Sequence, residues 1–326
     1  MQIVDFRQVH SRALEPLFQE EARHWRDELY WDYLPSIDLI RKFIDTRSLN
    51  GYLAMKDGRP AGYGFYVLED HKGLIGGLFV SSQLQHTAIA KDHQAVSAKD
   101  QQALITKELL SEMFSALRST PLLQRIEAQL MPFGTELDPA FLSQYFRLHK
   151  RQFMLLNLAE ANLSGKPFSS GLRLEPWSDR AFESAARLIQ LAYADHVDGA
   201  INDQYRSEAG GMKFLRNIVI LPGCGQFLPE ASFLVRPATN DSLIGMILTS
   251  TVQERVGHTT QICVMPGYQK HGIGRALIEQ SIQALRRRHY EHLSLTVTAV
   301  NSPAVDLYEH LGFRTIKKFA AGVWQA

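Results

Sequence analysis

The sequence predicts an α/β chain built from two tandem domains, each a mixed sheet flanked by helices. Three observations predict it. Apolar residues recur with period two in some stretches and at three- and four-residue spacing in others, alternating along the whole chain. The two halves run through nearly the same order of elements, and NLSGKPFSSG (162–171), rich in Gly, Ser and Pro, separates them as an exposed linker would. Hairpins feed the middle of each sheet in place of strict strand–helix alternation, so the sheets are mixed. The expected domains are 1–161 and 172–326, joined by 162–171.

In the N-terminal half QIVDFRQV reads as a strand, EPLFQEEARHWRDELYW and SIDLIRKFID as helices, GYLAMKD and AGYGFYVLE as a hairpin, and GLIGGLFVSS as a further strand. A helix over 101–118, a strand at LQRIEAQL, a helix after DPAF and a strand at RQFMLLNL complete it. The second half begins with the strand LRLEPW, then a helix in DRAFESAARLIQLAYADH, which opens on a capping Asp, and another at 206–221 that ends before Pro222 and the turn PGCG. ASFLVRP, SLIGMILTSTVQ and TTQICVMP are strands, the first two joined through the turn sequence ATND. The helix 272–290 carries the apolar stripe Leu277, Ile278, Ile282 and Leu285, with Arg286, Arg287 and Arg288 at its negative dipole end. LSLTVTAV is a strand, SPAVDLYEHLGF a helix that stops at Gly312, and RTIKKF and GVWQ are two short closing strands.

Composition narrows the functions. Of 326 residues 45% are apolar and 21% charged, the balance of a folded globular protein. Thirty-five Lys plus Arg against thirty-four Asp plus Glu leave a net charge of +1, too little to attract nucleic acid, so an anion site must be local. Two cysteines, Cys224 and Cys263, no apparent export signal and no long apolar run lead to an expected cytoplasmic location without a membrane anchor. No metal site is expected, because none of the twelve histidines sits in a ligand motif.

The chemistry concentrates at VMPGYQKHGIG (264–274), where a strand gives way to a helix. Gly267 and Gly272 have the spacing of a P-loop, but Ile273 and Gly274 stand where Lys and Ser or Thr are needed. Gly272 and Gly274 open a G-x-G-x-x-G, but Leu277 takes the third glycine position. What remains is a Q-x-x-G-x-G loop whose amides, at the positive end of a helix, suit a diphosphate.

QKHGIG resembles the Q/R-x-x-G-x-G/A loop of the GNAT superfamily of acyl-CoA-dependent N-acetyltransferases, and NSPAVDLYEHLGF is similar to that family's N-x-x-A-x-x-L-Y-x-x-x-G-F. The resemblance covers about residues 172–326, and the tandem layout looks like that of two-domain members. It implies two GNAT-like domains, acetyl-CoA as cofactor, and transfer of an acetyl group to a primary amine of a small molecule or peptide by direct attack in a ternary complex. The alternative is a non-catalytic acyl-CoA-binding or sensor module of the same fold. By the resemblance, main-chain groups of Ile262, Cys263 and Val264 hold the pantetheine arm, Gln269, Lys270, His271, Gly272, Ile273, Gly274 and Arg275 hold the diphosphate, Asn301 and Ala304 line the cofactor, and Tyr308 protonates the departing thiolate. His258 and Glu254 are the alternatives for a base. The segment 193–206, with Asp195, His196, Asp198, Asn202 and Tyr205, is expected to line the amine acceptor site. The N-terminal half contains no glycine between Gly77 and Gly134, and Gln144 falls opposite Tyr308, so it is expected to be a degenerate copy. The expected assembly is a monomer with internal pseudo-symmetry, or a homodimer.

Overall fold

The computed structural model describes residues 1–83, 97–165, 170–221 and 224–326. Part of the expected linker (166–169) and of the expected turn after the 206–221 helix (222–223) lies outside the described residues. In chain order the first half forms β1 (Gln2–Asp5), α1 (Glu15–Leu29), α2 (Leu34–Asp45), β2 (Asn50–Lys56), β3 (Arg59–Glu69), β4 (Lys72–Val80), α3 (Ala98–Arg118), β5 (Arg125–Gln129), α4 (Asp138–Ser143) and β6 (Arg147–Asn157). The second half forms β7 (Leu172–Pro176), α5 (Phe182–Tyr193), α6 (Val197–Ile201), α7 (Glu208–Val219), β8 (Gln226–Phe227), β9 (Phe233–Pro237), β10 (Gly245–Gln253), β11 (Val256–Val264), α8 (Ile273–Arg287), β12 (His292–Thr298), α9 (Ser302–Leu311) and β13 (Arg314–Gln325). The two short closing strands expected from RTIKKF and GVWQ are one strand, because the two alanines between them continue the extended backbone.

Contacts divide the chain into Met1–Leu148 with Phe319–Ala326, and His149–Lys318. This is not the division drawn at 162–171. The reason lies in strand pairing: Arg151–Asn157 of β6 pair antiparallel with β12, and Ala321–Gln325 of β13 pair antiparallel with β5. Composition marks a polar linker, but it carries no information about which sheet a strand joins.

In the first unit the strand order is β1-β2-β3-β4-β5 followed by the end of β13, with β4 and β5 parallel and their neighbours antiparallel. α3 buries Ile105, Leu109, Leu110, Met113 and Leu117 on one side of this sheet, while Leu17, Phe18, Ile37, Ile40 and Ile44 of α1 and α2 belong to a separate apolar cluster with Phe6, Leu53 and Tyr63. Within that second cluster the Glu21 carboxyl is buried, accepting from the Tyr63 hydroxyl and from Trp25 Nε1 (3.3 Å). Trp25 also stacks on Tyr33 at 4.4 Å.

In the second unit the order is β6-β12-β11-β10-β9-β7, with β8 also paired to β10. α8 lies over this sheet with Leu277, Ile278, Ile282 and Leu285 fully buried, the stripe expected from their spacing, against Ile247, Leu293, Leu295 and Val297. α5 and α7 pack Ala185, Leu188, Ile189, Leu215 and Ile218 with Leu248, Met246 and Cys263 in a separate cluster. Among the described residues no helix is long and apolar enough to cross a membrane.

Burial pushes the Glu21 carboxyl up to about 7 from an ordinary 4.5, against the lowering effect of its hydrogen bonds to Tyr63 and Trp25. Between those values the folded unit keeps a proton that the unfolded chain has released, so this group makes stability fall as pH rises from about 4.5 to 7, by up to roughly 3 kcal/mol. Urea unfolding followed by tryptophan fluorescence should show that slope in the wild type and its loss in Glu21→Gln; equal slopes in the two proteins would contradict the buried carboxyl.

Candidate functional site

The site begins where two parallel strands part. β11 and β12 pair only from Val256↔His292 to Thr259↔Leu295, although β11 runs on to Val264 and β12 to Thr298. A register shift opposite Leu248 and Thr249 of β10 makes Thr260 an extra residue, and such bulges bend and twist a strand. Past the bulge no strand among the described residues pairs with the edge of β11 that faces away from β10. Met265 N donates to Ile244 O (2.8 Å), which turns that residue toward β10. Main-chain groups alternate along an antiparallel strand, so Cys263 also turns toward β10, whereas Ile262 and Val264 turn toward the open gap. The Tyr193 hydroxyl reaches Ile262 O (3.2 Å) from that side. Of the three expected main-chain contacts, Ile262 and Val264 therefore face the gap and Cys263 does not.

The chain leaves β11 through a single helical turn (Pro266–Tyr268), then passes Lys270 at φ +64° and Gly272 at φ +79° to enter α8. Gly272 stands at the N-cap, where Ser, Thr, Asp or Asn would ordinarily cover the first amides, and it offers no side-chain acceptor. The first intrahelical bond comes from Ala276 N to Gly272 O (3.0 Å), so the amides of Ile273, Gly274 and Arg275 make no bond within the helix. Among the described residues the glycines beside them have open space. A Cβ on Gly267 or Gly272 would meet nothing within 4 Å, and one on Gly274 would meet only Val264 Cγ2 at 3.9 Å. Gln269 Nε2 donates to Val264 O (3.1 Å) and His271 Nδ1 lies 2.7 Å from Gln269 O, two contacts that fix the loop; Lys270 and His271 are exposed beside it. Arg275 departs from expectation: its Nε pairs with Glu279 (2.7 Å) and its Nη2 donates to Asn162 O (3.3 Å), which ties much of its guanidinium to the protein.

In the first unit β4 and β5 also pair over only Lys72↔Arg125 to Ile75↔Ala128, and β4 continues to Val80. The helix start there is capped by a side chain. Ser97 at the N-cap of α3 accepts from Asp100 N (3.1 Å) and its hydroxyl donates to the Asp100 carboxylate (2.7 Å), which brings acidic charge to the amides an anion would need.

On α9, Asn301 precedes the first turn, with its carbonyl accepting from Ala304 N and Val305 N, both at 3.1 Å. Ala304 and Tyr308 follow on one face of the helix. Tyr308 is 6% exposed, tilted against Phe313, and burial together with the nearby Asp198 charge pushes its phenol well above the ordinary range. It holds its proton at neutral pH.

The expected acceptor segment folds back over the open end of the sheet. Thr298, the last residue of β12, donates its hydroxyl to Asp198 Oδ1. Tyr205 stacks on Tyr193 at 4.5 Å, and Asn202 Oδ1 accepts from Gln204 N (3.1 Å). His196 Nδ1 accepts from Asp198 N (3.2 Å) and so caps α6. Asp195 is exposed.

The two expected bases lie elsewhere. Glu254 is exposed in the turn between β10 and β11, at the paired end of β11, with roughly 26 Å of strand between that end and Val264 at 3.3 Å per residue. Closeness in sequence to a strand that is read from its other end misled. His258 is buried, its ring parallel to Phe153 with centroids 5.8 Å apart and Nδ1 2.9 Å from Ser294 Oγ. Burial and the positive Arg151 hold it at about 3, so it is neutral and a very weak base at pH 7. Burial raises the Cys263 thiol, which keeps it unreactive. Among the described residues no cluster of His, Cys, Asp and Glu is arranged to hold a metal ion.

Comparison with known proteins meets this geometry at the same place. Residues 203–313 match the Acetyltransferase (GNAT) family. The second unit contains a GNAT-family acetyltransferase domain. The chain is 29% identical over 159 residues to a mycothiol acetyltransferase of Beutenbergia cavernae, covering 48% of this chain and 50% of that protein. It is 50% identical over 52 residues to the [ribosomal protein bS18]-alanine N-acetyltransferase of Escherichia coli K12, covering 16% of this chain and 35% of that one. The chain thus spans half or less of the curated relatives it matches. In fold it is similar to a GCN5-related N-acetyltransferase of Sphaerobacter thermophilus (TM-score 0.65, 12% identity, 99% of this chain and 95% of that one). It is also similar to a tandem GNAT protein from the clavulanic acid biosynthesis pathway (TM-score 0.54, 12% identity, 99% and 98%). The expected α/β fold with two GNAT-like domains is therefore the fold observed.

Three residues at the gap of the GNAT domain were not singled out from sequence. Tyr193 closes the β11 side, Thr298 holds Asp198, and Arg151 enters from β6, which reads in sequence as the end of the first domain. Each is an ordinary strand or helix residue by pattern, and only strand pairing brings it to the gap. The buried imidazole yields a direct test: carbon-bound proton resonances of His258 should stay those of the neutral ring from pH 8 down to 5, and a titration midpoint inside that range would contradict its placement.

Proposed function

We propose that this chain is an acyl-CoA-dependent N-acetyltransferase. It moves an acetyl group from acetyl-CoA to a primary amine of a small molecule or peptide, by direct attack in a ternary complex formed on the second unit. The observation that carries the proposal is the uncapped start of α8, with open space over Gly272 and Gly274, beside the unpaired edge of β11. Backbone amides at a helix start with no side chain over them are a diphosphate site by their chemistry, so the residues present fit the cofactor. When bound, acetyl-CoA would supply the acetyl group activated as a thioester.

The chain's own residues have distinct tasks in this reading. Ile273, Gly274 and Arg275 amides, with Lys270 and His271, hold the diphosphate. Ile262 and Val264 N–H groups hold the pantetheine arm along the open edge and polarise the acyl carbonyl. Asn301 and Ala304 line the α9 side. Tyr308, kept protonated by burial, offers its hydroxyl to the leaving sulfur. The wall of Tyr193, Asp198, Asn202 and Tyr205 receives the amine; an amine acceptor is also what the names of the mycothiol and alanine acetyltransferase relatives support. The first unit is read as a degenerate copy that takes no acyl-CoA, because Ser97 and Asp100 already occupy its helix start.

Calorimetry should show one molecule of acetyl-CoA bound per chain, with no heat from ATP or NAD. Thiol release from acetyl-CoA should then require an amine, and Tyr308→Phe should lower its rate by about tenfold or more while cofactor affinity stays within about twofold. Cofactor binding without thiol release for any amine would leave an acyl-CoA-binding module, and absence of binding would end the proposal.

A further inference from the structure

We propose that Asp198 is the catalytic proton acceptor for the attacking amine and that Thr298 positions its carboxylate. This rests on the transfer reading above and assigns the base that the reading lacks.

A primary amine is largely protonated at neutral pH, so its nitrogen must shed a proton before or during attack. The sheet itself supplies no group for this. On the face that packs against α5 and α7, β11 presents His258, Gln261 and Cys263, and β12 presents Ser294, Thr296 and Thr298. None is a carboxylate, and the one imidazole is buried and only weakly basic.

Asp198 reaches the same place from α6. Its side chain is 16% exposed, screened from bulk water but not sealed. The Thr298 hydroxyl fixes Oδ1 at the end of β12, where the gap opens. Oδ2 lies 3.7 Å from His196 Nδ1, and that nitrogen is already accepting the Asp198 N–H, so it has no proton for Oδ2. Oδ2 thus keeps lone-pair capacity. The Asp198 charge acts on the phenols of Tyr193, Tyr205 and Tyr308, so the carboxylate lies close to all three. The titratable groups around it are Tyr193 from α5, His196 at the N-cap of α6, Tyr205 after α6 and Tyr308 from α9; Cys263 of β11 acts on Tyr193 and Tyr205, and the positive Arg151 of β6 on Tyr205 and His258. The three phenols and the thiol are raised by burial and keep their own protons.

The proton balance closes within this set. The ammonium first gives one proton to Asp198 Oδ2, which frees the nitrogen lone pair, and Asp198 passes that proton to solvent. As the nitrogen then bonds to the acetyl carbon and the carbon–sulfur bond breaks, the nitrogen's second proton passes to Asp198 Oδ2 and the Tyr308 hydroxyl proton goes to the departing sulfur. Exchange with solvent then returns both groups to their starting states.

The test uses Asp198→Asn, which preserves shape and an acceptor for Thr298, with spermidine, glucosamine and trialanine as amines. The expected result is a kcat at pH 7 lowered by about a hundredfold or more, with KM for the amine and acetyl-CoA affinity each within about threefold, and a deficit that narrows toward pH 10 as the amine loses its proton unaided. Thr298→Val should lower kcat by about tenfold and, in the free protein, should shift the 13C resonance of the Asp198 carboxyl. A change in KM alone would make Asp198 an ammonium-binding residue and overturn the proposal. So would an unchanged pH profile in Asp198→Asn, or loss of the low-pH limb in His196→Gln instead. If the wild type fails to bind acetyl-CoA, or releases thiol with none of the three amines, the transfer reading itself fails, a result separable from these.

Discussion

The amides of Ile273, Gly274 and Arg275 lie at the start of a 15-residue helix whose apolar stripe is locked into the core of the second unit. No side chain caps them. In water such groups would simply be solvated, but at the end of a rigid helix they present aligned donors and a partial positive charge at a fixed point. Much of the unit's shape follows from keeping that point accessible: β11 and β12 part after four residue pairs, the Thr260 bulge turns β11 away, and Gly272 takes a left-handed conformation where any larger residue would be strained.

The first unit reaches the same parting of strands with a different sequence at the helix start, and the outcome inverts. Ser97 accepts from one of the first amides of α3, that of Asp100, and the Asp100 carboxylate brings negative charge beside them. The strand geometry is therefore common to both units, while what can approach the helix depends on two or three side chains. Tandem layout alone says little about how many sites a chain carries; the caps decide.

Much of this was legible in the residues. The stripe of Leu277, Ile278, Ile282 and Leu285, the helix that Gly312 ends, and the glycines of QKHGIG each act through a local rule of period or backbone freedom, and each lies where that rule puts it. Non-local facts were hidden. β6 alternates like any strand, and nothing in it records that its partner is β12. Glu254 looked close to the cofactor strand because sequence distance ignores which end of the strand opens. His258 looked available because exposure is a property of the finished sheet, and Arg275 looked free because its partner Glu279 is a helical neighbour one turn on. Asp198 stood in view among several acidic residues; its bond to Thr298, a hundred residues away, distinguishes it.

The central claim concerns backbone amides, so the most direct measurement observes them. In a nitrogen-15-labelled sample, titration with coenzyme A should shift the amide resonances of Gly272–Arg275, Ile262 and Val264 together with one affinity, and leave those of Ser97–Asp100 unmoved. Shifts confined to the first unit, or a bound cofactor that leaves the head of α8 unperturbed, would contradict the account.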